Sequence, residues 1–274
     1  MTHFKESFEI IAPRSRFYQG PFGRLFPDLP AWTPSGIGEN NLEAFFLDVA
    51  KTHMIEVPAK QPAEVTQEEV AGFTSTIPVG YTYFGQFVDH DITFDPASSL
   101  VRQNDPNGLF NHRTPRLDLD SLYGSGPGAS PHLYDQKNKG SNGRTEKLLV
   151  DTLPRTKLKD LPRNSQGRAL IGDARNDENA IVAQLQLAFL LAHNTLVDRA
   201  RAAGRGDPFE NARTTLRWLY QYIVWNDFLR RITQKEDHEC ALHLDPTCAN
   251  RLAWKLGFED VYSWRNQPYM PVEF

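Results

Sequence analysis

The feature that most constrains the fold is a long apolar segment, residues 177–203. Apolar side chains recur there at steps of three and four residues, and further apolar residues widen the stripe. A helix that is apolar on most sides has to be buried among other elements. We therefore predict a helix over 177–203, ended by Gly204 and Gly206, within a mostly α fold with long loops and little β structure. The stripe comprises Ile181, Val182, Leu185, Ala188, Phe189, Leu190, Ala192 and Leu196.

A second long helix is predicted from Asp207 to Phe228. Asp207 suits the N-cap, Pro208 suits the first helical position, and Glu210 would complete a capping box. Its apolar face consists of Leu216, Leu219, Tyr220 and Ile223.

The rest of the chain is less regular. Helical patterns cover residues 40–54 and 80–92, whereas residues 96–170 are rich in turn residues and are predicted to be mostly irregular. Residues 1–38 combine Pro, Gly and aromatic residues without a helical period, which predicts an extended N-terminal arm. Residues 39–274 would form the body that this arm wraps.

Composition excludes several classes of partner. The 274 residues carry a net charge of −4, which does not favour nucleic acid. The longest uninterrupted apolar run, residues 187–192, is far too short for a bilayer, so we predict no membrane span. No signal peptide is visible at the N-terminus, and the compartment stays undetermined.

Cys240 and Cys248 lie near His238 and His243. Two Cys and two His can bind zinc, but this spacing matches no common zinc motif. A loop that happens to collect these residues is the favoured interpretation.

The segment FGQFVDHDITFDP, residues 84–96, is the first with chemical potential. On a helix, Gln86, Asp89 and His90 lie at i, i+3 and i+4 and share one face, while Asp91 points elsewhere. A histidine beside a carboxylate can transfer protons. The alternative is an exposed polar helix end.

The segment RTPRLDLDSLYGS, residues 113–125, alternates oxygen-bearing side chains with others at Thr114, Asp118 and Asp120. Hard cations such as calcium prefer such oxygen ligands. The spacing is not that of an EF-hand, and a solvated acidic turn is the alternative.

The third segment, GDARNDEN, precedes the first long helix. Its Arg175 and Glu178 are three residues apart and could simply form a surface ion pair. Further along, His193 lies within the apolar helix, where a histidine is usually a packed and hydrogen-bonded core residue.

In this order, GQFVDHD, TPRLDLDSLYGS, GDARNDEN and LLAHN resemble the animal haem peroxidase superfamily over most of residues 17–274. The resemblance implies haem b and Ca2+ as cofactors, and hydrogen peroxide with a small donor, such as a phenol or a halide, as substrates. Family members are often extracellular.

The resemblance also implies roles for individual residues. His90 matches the distal histidine that moves the peroxide proton, Arg175 the distal arginine that stabilises developing charge, and Gln86 the glutamine that binds water or halide beside the histidine. Asp89 and Glu178 match the carboxylates that form ester bonds to haem in several members. The calcium ligands would be Asp91, Thr114, the Arg116 carbonyl, Asp118 and Asp120.

Two departures from the family pattern are visible. Asn179 stands where some members carry a haem-bonded methionine, so that third link is not expected. No residue matches the proximal histidine, because the chain ends at QPYMPVEF, which resembles the segment before the proximal helix. We therefore expect residues 39–274 to be the distal portion of a peroxidase domain, with a second chain as one possible source of the proximal helix.

Two other functions are compatible with the sequence. A fatty-acid dioxygenase of the same superfamily would be distinguished by a radical tyrosine near the proximal helix, which would lie beyond Phe274. A calcium-stabilised binding module without turnover would keep the fold and the acidic loop.

Overall fold

The computed structural model describes residues 35–54, 64–73, 75–95, 110–141 and 143–242. These residues divide into two compact units, one up to Pro78 and one from Val79 onward. Most of the predicted arm, the C-terminal segment, His243 and Cys248 lie outside the described residues.

The described chain is mostly helical, as predicted. The smaller unit contains α1 (Leu42–Val49), followed by a π-helical stretch, and α2 (Gln67–Phe73). The larger unit contains α3 (Gly80–Ile92), α4 (Asp120–Tyr123), α5 (Gly126–Ala129), α6 (Ala180–Ala202), α7 (Pro208–Ile223), α8 (Arg230–Ile232) and α9 (Lys235–Leu242). The only sheet among the described residues is a two-residue antiparallel pair, β1 (Asp151–Thr152) and β2 (Lys159–Asp160).

The two long helices form where the sequence predicts them, with corrections at their ends. The first helix begins at Ala180 and not at Asp177, because Asn179 caps it by accepting hydrogen bonds from the first backbone N–H groups. Asp207 caps α7 by accepting from Glu210 N, as predicted. The reciprocal half of the capping box does not form, because the Glu210 carboxylate pairs with Arg213 instead.

The buried face of α6 differs from the predicted stripe. Ile181 is about half exposed (47%), whereas Gln186 and His193 are fully buried. The two polar residues belong to the core face because their polar atoms find partners there. A prediction from the apolar residues alone therefore assigns a neighbouring face of α6, and not the observed one, to the core.

The core lies where α6 packs against α7 and α3. The Phe87 ring stacks on Phe189 with centroids 4.9 Å apart, and Tyr220 meets both rings edge-on. These contacts fix the last turns of α3 against the long helices. Residues 89–92 are thereby held beside the segment that precedes α6.

By length and composition alone, α6 could cross a membrane, with a mean hydropathy of 1.5. This is weak evidence, because the core helix of a soluble protein has the same properties. His193 contacts the Tyr123 hydroxyl and the Glu146 carbonyl, each at 3.0 Å, so this helix faces protein partners here. His193 is the packed core residue that the sequence predicted.

The zinc alternative is not supported. Cys240 is disulfide-bonded, and His238 Nε2 contacts the Trp225 carbonyl at 2.8 Å. Two of the four ligands that a zinc ion would need are thus engaged elsewhere.

Candidate active site and acidic cluster

The last two turns of α3 carry the first group of predicted site residues. His90 and Asp91 are buried, Gln86 is half-buried and Asp89 is exposed. An exposed polar helix end therefore describes Asp89 alone. The last two turns of α3 therefore have one side buried in the protein and another side, which carries Asp89, exposed to solvent.

His90 is bonded through one ring nitrogen. Its Nδ1 lies 2.7 Å from Asn176 Oδ1, and Asn176 Nδ2 donates to Gln186 Oε1 at 2.9 Å. Asn176 and Gln186 are both fully buried. The three side chains form a line from α3 through residues 174–177 into α6, and this line fixes the plane of the imidazole.

Gln86 connects α3 with the start of α6. Its Nε2 donates to Glu178 Oε2 at 3.0 Å, and its Oε1 accepts from Asn179 at 3.3 Å. Glu178 is exposed, and Asp89 lies one turn beyond Gln86 on the same helix. The structure thus places the Gln86 amide and the exposed Glu178 carboxylate together on the solvent-exposed side of α3, the open side of His90.

Arg175 is bonded to a carboxylate and to the backbone at the end of α3. Its guanidinium holds the Asp173 carboxylate through two nitrogens, and its Nη2 also donates to the carbonyls of His90 and Thr93. In this arrangement the guanidinium binds the C-terminal end of α3. Its charge is shared with a carboxylate that is almost fully buried.

The second group of predicted residues forms a compact acidic cluster. One ligand atom from each of Asp91, Asp118 and Asp120 lies within 4.8 Å of the others. Asp91 accepts hydrogen bonds from Ser121 and from the Leu119 N–H, which bind the loop to the end of α3.

The cluster contains oxygen atoms without a hydrogen-bond donor. Thr114 Oγ1 donates to Asp118 Oδ2 at 2.8 Å, but the buried Oδ1 atom of Asp118 accepts no hydrogen bond. The buried Oδ1 atom of Asp120 lies 3.2 Å from Arg113 Nη1, an ion pair without good hydrogen-bond geometry. The hydroxyl of the fully buried Tyr220 lies near Asp91. Buried oxygens without donors are costly unless a cation supplies the missing interaction.

The electrostatics point the same way. Burial raises the pKa of the Asp91 carboxyl to about 6, and the charge of Asp118 adds to the shift. Burial also raises the pKa of Asp120 to about 7; Arg113 opposes this shift, whereas Asp118 and Asp91 add to it. Three carboxylates in so small a volume repel one another, which a divalent cation would reverse.

The backbone of this loop enters the left-handed region at two residues. Leu117 and Leu119 both have positive φ, 54° and 60°, which is unfavourable for a branched side chain. The Arg116 carbonyl accepts from Gln221 Nε2 at 2.9 Å, so α7 holds the outer side of the loop. A carbonyl oxygen has a second lone pair, so this bond is compatible with the predicted role as a ligand.

Arg113 joins the two groups of residues. Its Nη1 lies 3.2 Å from Asp120 Oδ1, and its Nη2 donates to Asp173 Oδ2 at 2.7 Å. Although burial by itself raises it, the pKa of the Asp173 carboxyl is held below its usual value by hydrogen bonds from Arg175 and Arg113. The acidic cluster and Arg175, which binds the end of α3, therefore share one charged network.

Sequence reasoning missed several residues that the structure places here. Asn176 and Gln186 hold His90, and Arg113 and Asp173 connect the cluster with Arg175. Gln186 did carry a signal, because a glutamine inside an apolar helix needs a buried partner. Which partner it finds depends on a contact ten residues away that periodicity does not predict.

Comparison with known proteins bears on this arrangement. A model of the animal haem peroxidase family matches residues 98–263, more than half of the chain. No curated protein matches the chain significantly. The matched span includes the acidic loop and the segment around Arg175, while α3 precedes it. Its contacts with both groups of matched residues nevertheless make α3 part of the same site. The chain belongs to the animal haem peroxidase family.

Proposed function

We propose that this protein is a haem peroxidase that reduces hydrogen peroxide and oxidises a small donor, with His90 as its acid–base residue. The observation that carries the proposal is the environment of His90. Its Nδ1 is bonded to a buried amide, and the residue as a whole is about 5% exposed. One ring nitrogen is thus used for orientation, and the other is left for a reacting proton.

The residues on the open side fit a haem group that approaches this face. Asp89 and Glu178 offer exposed carboxylates on the two segments that flank Gln86, as ester or hydrogen-bond partners of a porphyrin would. Haem, when bound, supplies and recovers the two electrons that reduce the peroxide. We assign no residue as the axial iron ligand, and a proximal helix from a second chain stays an expectation.

His90 moves the proton in this proposal. Its Nε2 takes a proton from the near oxygen of the peroxide and returns it to the far oxygen as the O–O bond breaks, so that the far oxygen leaves as water. Over a full cycle, one peroxide, two protons and two electrons give two waters. The electrons come from two molecules of donor, each oxidised by one electron.

Gln86 and Arg175 have supporting roles. Gln86 can hold a water or the peroxide beside His90, since its amide already faces the open side through Glu178. Arg175 contributes positive charge to the same region, and its bonds to the His90 and Thr93 carbonyls hold the end of α3. Anchoring of α3 is the part of its role that the contacts support.

A calcium ion in the acidic cluster would fix the site from behind. The Asp118 oxygen without a hydrogen-bond donor, together with the nearby Asp91 and Asp120 carboxylates, suits such an ion. Thr114 and the Arg116 carbonyl are the further ligands that we propose. Because Asp91 follows His90 directly, an ion bound to Asp91 would restrict the turn that carries the imidazole.

Addition of haemin, calcium, hydrogen peroxide and guaiacol to the chain tests this proposal. We expect a sharp Soret band and guaiacol oxidation that is lost in His90→Gln. The matched control is His132→Gln, an exposed histidine, which should keep full activity. Haem binding without peroxide turnover, combined with oxygen uptake on a polyunsaturated fatty acid, would favour a dioxygenase instead. No specific band would show that this chain does not bind haem by itself, as expected if a second chain supplies the proximal helix or if the protein is a calcium-stabilised module without catalysis.

A further inference from the structure

The line of side chains from His90 to Gln186 has a consequence for proton transfer. We propose that Asn176, held by Gln186, is a positioning residue that keeps His90 in the Nδ1–H tautomer with the Nε2 lone pair facing the open side. This inference rests on the proposed peroxidase function, because that function gives Nε2 its task.

The direction of the hydrogen bonds supports this tautomer. Asn176 Nδ2 donates to Gln186 Oε1, which leaves Asn176 Oδ1 as the atom that faces the imidazole. An amide oxygen only accepts, so Nδ1 of His90 must carry the proton. Neutral imidazole has one N–H, and Nε2 is then an acceptor that can take a proton from a substrate.

The chemical type of the partner suits a residue that must both take and release a proton. A carboxylate at this position would stabilise the imidazolium form and oppose release of the proton. The amide of Asn176 orients the ring without adding charge. His90 can therefore act first as base and then as acid within one turnover.

Gln186 gives independent support, because packing alone does not explain it. It lies on the buried face of the apolar helix α6 with no exposed surface, and its Nε2 has no hydrogen-bond partner. An apolar residue there would avoid an unsatisfied buried donor. Its one partner among the described residues is Asn176, so its contribution is to fix which way that amide points.

NMR of the chain labelled with 15N-histidine, without haem and at one pH, tests the inference. The His90 signals are identified by their loss in His90→Gln. We expect protonated Nδ1 and unprotonated Nε2 in the unchanged protein. Asn176→Leu should give a mixture of tautomers or the Nε2–H form. Asn176→Asp should restore protonated Nδ1, because a carboxylate also accepts its hydrogen bond.

Asn194→Leu is the matched control. Asn194 is another amide on α6, which bonds to the backbone of Leu148 and not to His90. It should lower stability without changing the His90 signals. If Asn176→Leu does not fold, Gln186→Leu serves in its place, with the same expected loss of a single tautomer.

An Nε2–H tautomer in the unchanged protein would overturn the inference, as would unchanged His90 signals in a folded Asn176→Leu variant. With haem bound, Asn176→Leu should slow peroxide consumption at least about tenfold, with Asn176→Asp giving partial rescue. The NMR result does not need activity. If His90 has the proposed tautomer but neither the unchanged protein nor any variant consumes peroxide, the positioning role stands and the peroxidase proposal fails.

Discussion

The substitution Asp118→Asn should change the stability of this protein in opposite directions with and without calcium. Without the ion, the buried carboxylate of Asp91 and the half-buried carboxylates of Asp118 and Asp120 repel one another. The pKa of Asp91 is raised from 3.8 to about 6 in the folded chain, and at pH 8 Asp91 is ionised in both the folded and the unfolded state. The shift therefore lowers the free energy of unfolding by about 3 kcal/mol at that pH. Burial is the larger cause and the charge of Asp118 the next, so removal of that charge should restore about 1 kcal/mol.

With calcium, the sign should reverse. An ion at a thousand times its dissociation constant stabilises the folded chain by about 4 kcal/mol. Loss of one carboxylate ligand that weakens binding a hundredfold would remove about 2.7 kcal/mol of this. After the relief of repulsion, the variant should be about 2 kcal/mol less stable than the unchanged protein. Asparagine keeps the shape of the side chain and can still accept from Thr114.

Urea unfolding at pH 8, with EDTA or with excess calcium, measures both signs. The matched control is Asp198→Asn, the same chemical change at an exposed residue that pairs with Lys147. It should shift stability by less than about 0.5 kcal/mol in either condition. Equal destabilisation by Asp118→Asn with and without calcium would refute the reasoning, since Asp118 would then be a structural residue only.

Three further predictions concern the supports of the site. Burial lowers the pKa of His193 from 6.5 to about 4, so between these pH values the unfolded chain binds a proton that the folded chain does not. The free energy of unfolding should therefore fall by up to about 3 kcal/mol as the pH drops from 6.5 to 4. His193→Gln should lose this pH dependence in urea unfolding, and an equal dependence in the variant would contradict the assignment. Gly172→Ala would place a Cβ against the Ser121 carbonyl, so it should cost about 1–3 kcal/mol. It should also weaken calcium binding measured by calorimetry, and an unchanged affinity would argue against this packing. Asp173→Asn leaves Arg175 without its carboxylate and should cost about 3–5 kcal/mol in thermal unfolding, whereas a loss below 1 kcal/mol would show that the buried pair matters little.

The main helices could be predicted from the sequence because their signals are local. The cap at Asp207 specifies the start of α7 within one residue, and α3 has the predicted bounds. The predicted end at Phe228 was wrong for α7, which ends at Ile223, because a π-helical stretch follows from Val224 to Leu229. The orientation of α6 could not be predicted in the same way. Gln186 and His193 count as polar in any local pattern, yet both are buried by contacts made in the folded state.

The candidate site was predictable only in part, for a similar reason. The acidic cluster follows from oxygen side chains at short spacing, and Asp91 joins it only through the packing of α3 on the loop. The bond between His90 and Asn176 joins residues 86 positions apart, and the charged network around Asp173 joins three separate segments. Partners at such separations depend on tertiary structure, which residue patterns do not specify. The roles proposed for Gln86, Asp89 and Glu178 stay predictions.

The central claim is that His90 moves the proton of the peroxide. The rate at which the haem-loaded chain reacts with hydrogen peroxide, followed by stopped-flow absorption, tests it most directly. The account predicts a rate 10²–10⁴-fold lower in His90→Gln and an unchanged rate in His132→Gln. Equal rates for the unchanged protein and His90→Gln, with haem bound in both, would contradict it.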